Sequence, residues 1–528
     1  MGIRTGKQYI EALKKVKAEI YMNGRRVEDV TEEPIFQGPI QTVAELYDMQ
    51  SDPRFKDITT FPSPTTGNPI SMAFKVPYTK EDLIKRRQYY KLRADQNFGT
   101  LGRSPDFTNG LVTGWFQGSA NFARMGEQFG QNAIDYYEYV SENDLFLTHV
   151  LVGPQVDRSR IASEQEDPFI QLGKVGETEE GIIVRGAKML GTMAPITEEC
   201  AVVPFGGVAA GDHVYALAFS VPNNAPGLKW ICRETIAPLP RSTWDHPLSS
   251  RFEEMDCIAI FDDVLIPWNR VIIPGTPDCE EMVNNMRGSM SAQGASQSAA
   301  AHLSQMELMV GVAMKLAEST GISGFLNIQH LLGEMVSYLE VTRAVFYGTE
   351  AMSEPGPNGV WRYGGFGSRS VDLLGRTWHR RMVEIIQSLA GGGFFQSATE
   401  ADMENPEIRP FIDKYMRGRE GWSAEERIHI GKLAWDITGD AFGQRVAQYH
   451  QFHAGDPYRA TAASYVGYDK KPLFDIVDRA LGKTDSMDIP VTPDNAGGVT
   501  VIKPEPGSLQ YAYPAASAPK RTRPPAQV

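Results

Sequence analysis

The stretch from about residue 151 to 285 constrains the fold most, because its texture differs from everything on either side. Residues 181–190 alternate around Ile183 and Val184, and 213–221 and 256–265 are rich in β-forming side chains. Turn signals recur at Asn223-Asn224 and Asp262-Asp263, with no long helical period between them. Short apolar runs bounded by turn residues predict an antiparallel β domain. On both flanks the 3.6-residue period takes over. Tyr9, Leu13, Val16 and Ile20 follow Thr5, a predicted N-cap. Residues 21–30 predict a hairpin with Asn23-Gly24 at its tip, and Thr79 opens a charged helix ending near Asn97. Residues 123–142 are again helical. Beyond 286, long apolar-periodic segments run over 297–319, 326–352 and 371–390, and Ser423 caps another. The expectation is an α+β chain: a mainly helical domain over 1–150, the β domain over 151–285, a helical bundle over 286–485, and a Pro/Gly-rich tail over 486–528.

Composition removes several function classes. A formal net charge of −13 argues against a nucleic-acid or anionic-membrane partner, since phosphate binding needs a basic surface. No window approaches the roughly 18 apolar residues of a membrane span, and the start, MGIRTGKQYIEALKK, lacks the apolar core of a secretory signal. Cys200, Cys232, Cys257 and Cys279 show no CxxC spacing, so neither a metal site nor a disulfide framework is expected. Reduced cysteines in a cytoplasmic protein are the default reading.

Two stretches carry candidate chemistry. In LFLTHVLVGPQVDR, residues 145–158, one histidine, His149, stands in an apolar strand-like run that stops at Gly153-Pro154. An imidazole so flanked is either a satisfied core group or a site residue. GRSPDF, residues 102–107, is a compact turn presenting Arg103, for which an ion pair with Asp106 is the plain alternative. GTMAP at 191–195 is small and flexible, VVPFGGVAAGDH at 202–213 is glycine-rich, and GDAFGQR at 439–445 reads as a loop between helices. No GxGxxG follows a strand, so a dinucleotide-binding βαβ unit is not indicated.

Together GRSPDF and LFLTHVLVGPQVDR resemble the 4-hydroxyphenylacetate 3-monooxygenase family, the oxygenase components of two-component, reduced-flavin-dependent aromatic hydroxylases. HPLSSRFEEMDCIAIFDDVLIPWNRV at 246–271, KYMRGREGWSAEERIHIGKLAWD at 414–436 and GDAFGQR continue the resemblance in the same order. It implies an acyl-CoA dehydrogenase-like fold and a homo-oligomer, tetramer or dimer. It also implies FADH2 delivered by a separate NAD(P)H:flavin reductase, with O2 as co-substrate. The implied reaction hydroxylates a phenol through a flavin C4a-hydroperoxide, ortho, or para with displacement of a halo or nitro group.

The resemblance places Arg103 and His149 on the substrate arginine and histidine. An always-charged guanidinium favours the phenolate, and a histidine near its ordinary pKa can take the phenolic proton. Phe107 stands where better-known members carry a tyrosine that bonds the substrate hydroxyl. That departure suits a more acidic phenol, or a bulkier, less polar aromatic. Ser296 and Phe442 are assigned to the substrate pocket, Phe442 flanking ring or substrate, while His302 reads as an ordinary helical histidine. For the flavin the resemblance points to Pro154, Gln155, Thr192, Gly439, Gly443 and Arg445. Phenol, halophenol, arylacetate and secondary-metabolite aromatics all stay open as substrates, as does FAD against FMN. Two other readings stand beside this one: a non-oxygenative flavoprotein of the same fold, 4-hydroxybutyryl-CoA dehydratase-like or dehydrogenase-like, and a non-catalytic scaffold. The dehydratase needs cluster cysteines, and none stands near Arg103 in the sequence.

Overall fold

Thr5 begins the chain's first helix as the sequence requires: its hydroxyl accepts from the Gln8 amide, and the Gln8 side chain accepts from the Thr5 amide, capping Gly6–Val16 at both orphan donors. The computed structural model describes residues 2–485 and Met487, leaving aside 205–206, 238–241, 286–291, 357, 365–366 and 454. The 486–528 tail therefore lies almost wholly outside the described residues.

Asn23 and Gly24 take φ values of 51° and 77°, the two left-handed positions of a tight hairpin turn, and join Glu19–Met22 to Arg25–Val27. This hairpin does not stay with the helices. Glu19–Met22 pairs in parallel with Leu228–Cys232, extending a six-stranded sheet ordered Arg25–Val27, Glu19–Met22, Leu228–Cys232, Cys257–Pro267, Gly181–Lys188, Gly173–Glu177. A second sheet orders Val271–Pro274, Leu217–Pro222, Glu199–Val202, Leu147–Val150. The two meet through buried rings, Phe219 lying edge-on to Phe261 at 5.9 Å. The β region is thus not purely antiparallel. Both parallel pairings arise because strands before residue 151 insert beside later ones.

Two local expectations change. Asp262-Asp263 is no turn between strands. It is a bulge inside Cys257–Pro267, with Asp263 at φ 52° and the register shifting between Phe261 and Val264. Residues 213–215 form a single 3-10 turn, and the strand starts only at Leu217.

The helical expectations hold in the main, although Gly126, at φ 147°, breaks the one over 123–142 so that the helix runs Glu127–Asn143. Thr79 and Asp82 form a capping box on Lys80–Gln96, and Ser423 and Glu426 form one on Ala424–Thr438. Ala292–Thr320, Leu326–Ala351 and Gly367–Ala390 pack as the long helices of the C-terminal bundle. GDAFGQR is mostly not a loop. Gly439 ends one helix and Asp440 caps the next, Ala441–Phe452, by accepting from the Gly443 amide at 2.9 Å. Among the described residues no helix is long and apolar enough to cross a membrane.

Candidate active site

Arg103 is carried by the turn that leads into helix Pro105–Gln117, where Ser104 is the N-cap and Pro105 occupies the first turn. The Asp106 carboxylate is not its partner. Asp106 is buried against Arg93, at 2.9 Å, and accepts from the Tyr89 hydroxyl at 2.7 Å. Arg103, only 8% exposed, instead donates from Nη1 to the Gly102 carbonyl at 2.9 Å and to the Tyr449 hydroxyl at 2.6 Å. Its guanidinium carbon lies 3.9 Å over the Phe107 ring and 5.2 Å from the Tyr449 ring. Among the described residues no carboxylate pairs with this guanidinium; only the Arg103 backbone amide meets one, Glu254, at 2.5 Å.

His149 reaches the same place from the edge strand Leu147–Val150, paired opposite Ala201. Its ring is 5.1 Å from that of Phe107, so the Phe107 ring adjoins both guanidinium and imidazole. The ring is 4% exposed and Nδ1 has no partner among the described residues. Burial, then the Arg103 charge, push its pKa well below the ordinary histidine value. The expectation of a near-ordinary pKa is therefore corrected: the imidazole stands neutral beside a cation.

Side chains alternate along a strand, so Thr148 points the other way from His149. Its hydroxyl donates to the Thr192 carbonyl at 2.8 Å. The Thr192 loop is held on both sides: Gly191 exchanges backbone hydrogen bonds with Cys257 at 2.8 and 3.2 Å, and Leu190 and Met193 sit at φ 64° and 65°. A side chain at Gly191 would come within 2.6 Å of the Trp230 ring. Thr192 donates to Asp256 at 2.8 Å. Asp256 takes Arg445 at 3.0 Å and Arg233 at 3.1 Å, and Arg445 reaches Glu254 at 2.5 Å. An ionic ladder, Thr192–Asp256–Arg445–Glu254, thus ends on the Arg103 amide. It joins four segments far apart in sequence.

The other predicted residues are scattered around this core. Pro154 accepts from Gln171 at 2.9 Å, and Gln155 is exposed just beyond the His149 strand. Phe442 is buried in the main hydrophobic core. Gly439 and Gly443 serve close packing: a Cβ would fall 2.2 Å from the Trp435 ring at the first and 2.5 Å from the Ile437 carbonyl carbon at the second. Ser296 bonds the Tyr363 hydroxyl, whereas its neighbour Gln297 reaches the Leu101 carbonyl and Ser104 at 3.4 Å. His302 lies against His450, their Nδ1 atoms 3.3 Å apart. In the loop 202–213, residues 205–206 lie outside the described residues. Sequence reasoning missed Glu254, Asp256 and Tyr449. The signal for the first two was three acids in EEMD immediately before a strand; for Tyr449 it was a spacing of four from Arg445 on one helix face.

The family description 4-hydroxyphenylacetate 3-hydroxylase N terminal matches residues 5–273, and its C-terminal counterpart matches 286–482. The chain belongs to this family. It is 40% identical over 471 residues to the 4-hydroxyphenylacetate 3-monooxygenase oxygenase component of Thermus thermophilus, covering 89% of this chain and 95% of the relative. It is 32% identical to the 4-nitrophenol 2-monooxygenase oxygenase component of a Rhodococcus species, covering 86% of each. A crystal structure of a 4-hydroxyphenylacetate 3-monooxygenase oxygenase component complexed with FAD and 4-hydroxyphenylacetate superposes with a TM-score of 0.86 at 38% identity, over 91% of this chain and 98% of that one. An archaeal 4-hydroxybutyryl-CoA dehydratase, 21% identical with a TM-score of 0.81, shares the acyl-CoA dehydrogenase-like fold. Family membership makes the protein the oxygenase component of a two-component flavin monooxygenase acting on phenolics, with FAD as its cofactor.

The residues present fit that cofactor. The Thr192 loop, pinned by Cys257 and Asp256, offers a fixed hydroxyl and backbone against the strand that also carries His149, whose Nδ1 has no partner among the described residues.

Proposed function

We propose that the substrate is a phenol held as its phenolate between Arg103 and His149. One observation carries this: beside one Phe107 ring stand a buried guanidinium with no carboxylate partner and a neutral imidazole whose Nδ1 has no partner, both among the described residues. A buried, uncompensated cation is costly, and it lowers the cost of an anion brought beside it. The Arg103 charge draws a phenol down from its ordinary pKa of about 10 toward its anion, and the neutral His149 ring shares a hydrogen bond with the same oxygen. The electron-rich ring is then oriented by its oxygen, which fixes the direction in which an ortho carbon points. Bound reduced FAD supplies the oxygen activation; the protein's residues position the ring and exclude water.

Phe107 contributes a face to Arg103 but no hydrogen bond to the substrate. That favours phenols acidified by a nitro or halo group, which arrive ionised, and the likeness to a 4-nitrophenol 2-monooxygenase supports the same class. The dehydratase reading finds no support. The four cysteines are buried and free, and the group of described side chains close enough to hold a metal, His246, Asp436 and Asp440, contains no cysteine. The protein works in the cytoplasm with a separate NAD(P)H:flavin reductase. It acts as a homo-oligomer, for which the exposed Phe474, Ile476 and Val477 of helix Lys471–Ala480 offer an apolar face. The test is a panel of phenols with chemically reduced FAD and O2. A nitro- or halophenol is expected to give a catechol or quinol product. Hydrogen peroxide alone with every phenol would remove the reading.

A further inference from the structure

We propose that Tyr449 is a positioning residue for the aryl oxygen: its hydroxyl holds the Arg103 guanidinium between two aromatic faces, off the Glu254 carboxylate, and so keeps the positive charge available to a phenolate. The inference rests on the site reading given above and deepens it.

The competitor is Glu254. This carboxylate is buried, accepts the Arg103 backbone amide at 2.5 Å and pairs with Arg445 at 2.5 Å. A guanidinium turned onto it would be neutralised, and its pull on a phenolate would fall accordingly. A hydroxyl does what a carboxylate cannot: it fixes the direction of Nη1 through a 2.6 Å hydrogen bond without cancelling the charge. Burial pushes the Tyr449 pKa up, so the hydroxyl stays neutral in this role.

Tyr449 is itself held from three sides. It stands four residues after Arg445 on helix Ala441–Phe452, with the Arg445 guanidinium 5.7 Å from its ring. Its ring stacks on His453 at 4.9 Å, and Ser298 bonds its hydroxyl. The turn before Arg103 is shaped for it as well. A Cβ at Gly102 would fall 2.4 Å from the Tyr449 ring carbon that bears the hydroxyl and 2.5 Å from the oxygen. Only glycine there lets the hydroxyl reach Arg103.

The experiment uses the full-length protein without reductant and 4-nitrophenol as the probe, because its phenol and phenolate absorb at different visible wavelengths. The bound probe is titrated with pH in wild type, Tyr449→Phe and Gly102→Ala, with Arg103→Lys as the reference for a lost guanidinium. Wild type is expected to bind the phenolate preferentially, so that the bound probe ionises at lower pH than the free one. Tyr449→Phe should weaken that preference roughly tenfold, the scale of one hydrogen bond to a charged group. Gly102→Ala displaces the hydroxyl without removing it, should act in the same direction, and decides the matter if Tyr449→Phe does not fold. A wild-type preference retained in folded Tyr449→Phe and Gly102→Ala overturns the inference and leaves the site reading standing. A wild-type protein that binds the probe with no preference for the phenolate removes both.

Discussion

Replacing Asp256 by asparagine tests the ionic ladder on which the site is hung. Asp256 accepts from Thr192 at 2.8 Å, from Arg445 at 3.0 Å and from Arg233 at 3.1 Å. Asparagine keeps the shape but turns an amide group toward a guanidinium. Breaking a buried ion pair from one side costs about 3–5 kcal/mol. Here each arginine keeps a second carboxylate, Glu254 at 2.5 Å for Arg445 and Glu253 at 3.0 Å for Arg233, so the low end, about 3 kcal/mol, is expected. With an unfolding entropy of roughly 2.1 cal/mol/K per residue, such a loss lowers the melting temperature of a chain this long by about 3 °C.

The sign with pH follows from the carboxyl. Burial raises its pKa, but Arg445, Arg233 and the hydrogen bonds outweigh burial and hold it below the ordinary aspartate value. A carboxyl depressed in the folded state contributes stability above its unfolded pKa and loses it as pH falls through the folded one. The asparagine penalty should therefore be full at neutral pH and shrink below about pH 4. Calorimetric unfolding at both pH values measures it, and FAD titration should show weaker binding as the ladder behind Thr192 loosens. A penalty under about 1 kcal/mol at neutral pH, or one that persists unchanged in acid, would refute the reasoning.

Three further outcomes are expected. His149→Ala should cut hydroxylation and raise hydrogen peroxide release per O2 consumed; unchanged coupling would remove His149 from the site. His379 is buried with both ring nitrogens unpartnered among the described residues, and burial, then His302, hold its pKa down to about 3. His379→Leu should stabilise the fold by about 1–2 kcal/mol and flatten the loss of stability as pH drops from the unfolded histidine value toward 3, read by unfolding at several pH values. Asp440 is pushed up to about 8 by burial and then by Asp436, so folding holds its proton and stability falls as pH rises from the unfolded carboxyl value toward 8. Asp440→Asn keeps the helix cap and should be more stable than wild type near pH 8, a difference that vanishes in acid.

Local chemistry made much of this legible beforehand. Thr5, Thr79 and Ser423 named three helix starts because a cap is decided within four residues, and Asn23-Gly24 named a turn because few residues accept two positive φ angles. Asp262-Asp263 misled for the same local reason: a left-handed residue can turn a chain or bulge a strand, and only the neighbouring strand Gly181–Lys188 decides which.

The sequence alone determined the succession of helical and β segments, the presence of one arginine turn and one histidine strand, and, through the motifs around them, the kind of chemistry to look for. Only the tertiary structure decided what each charge faces. Asp106, three residues from Arg103, pairs with Arg93, while Glu254, Arg445 and Tyr449, between 151 and 346 residues away, set the guanidinium's surroundings. Hydrogen bonds and ion pairs reach about 3 Å in space whatever the separation along the chain, and burial, which holds the His149 imidazole neutral, exists only once the layers have closed over it.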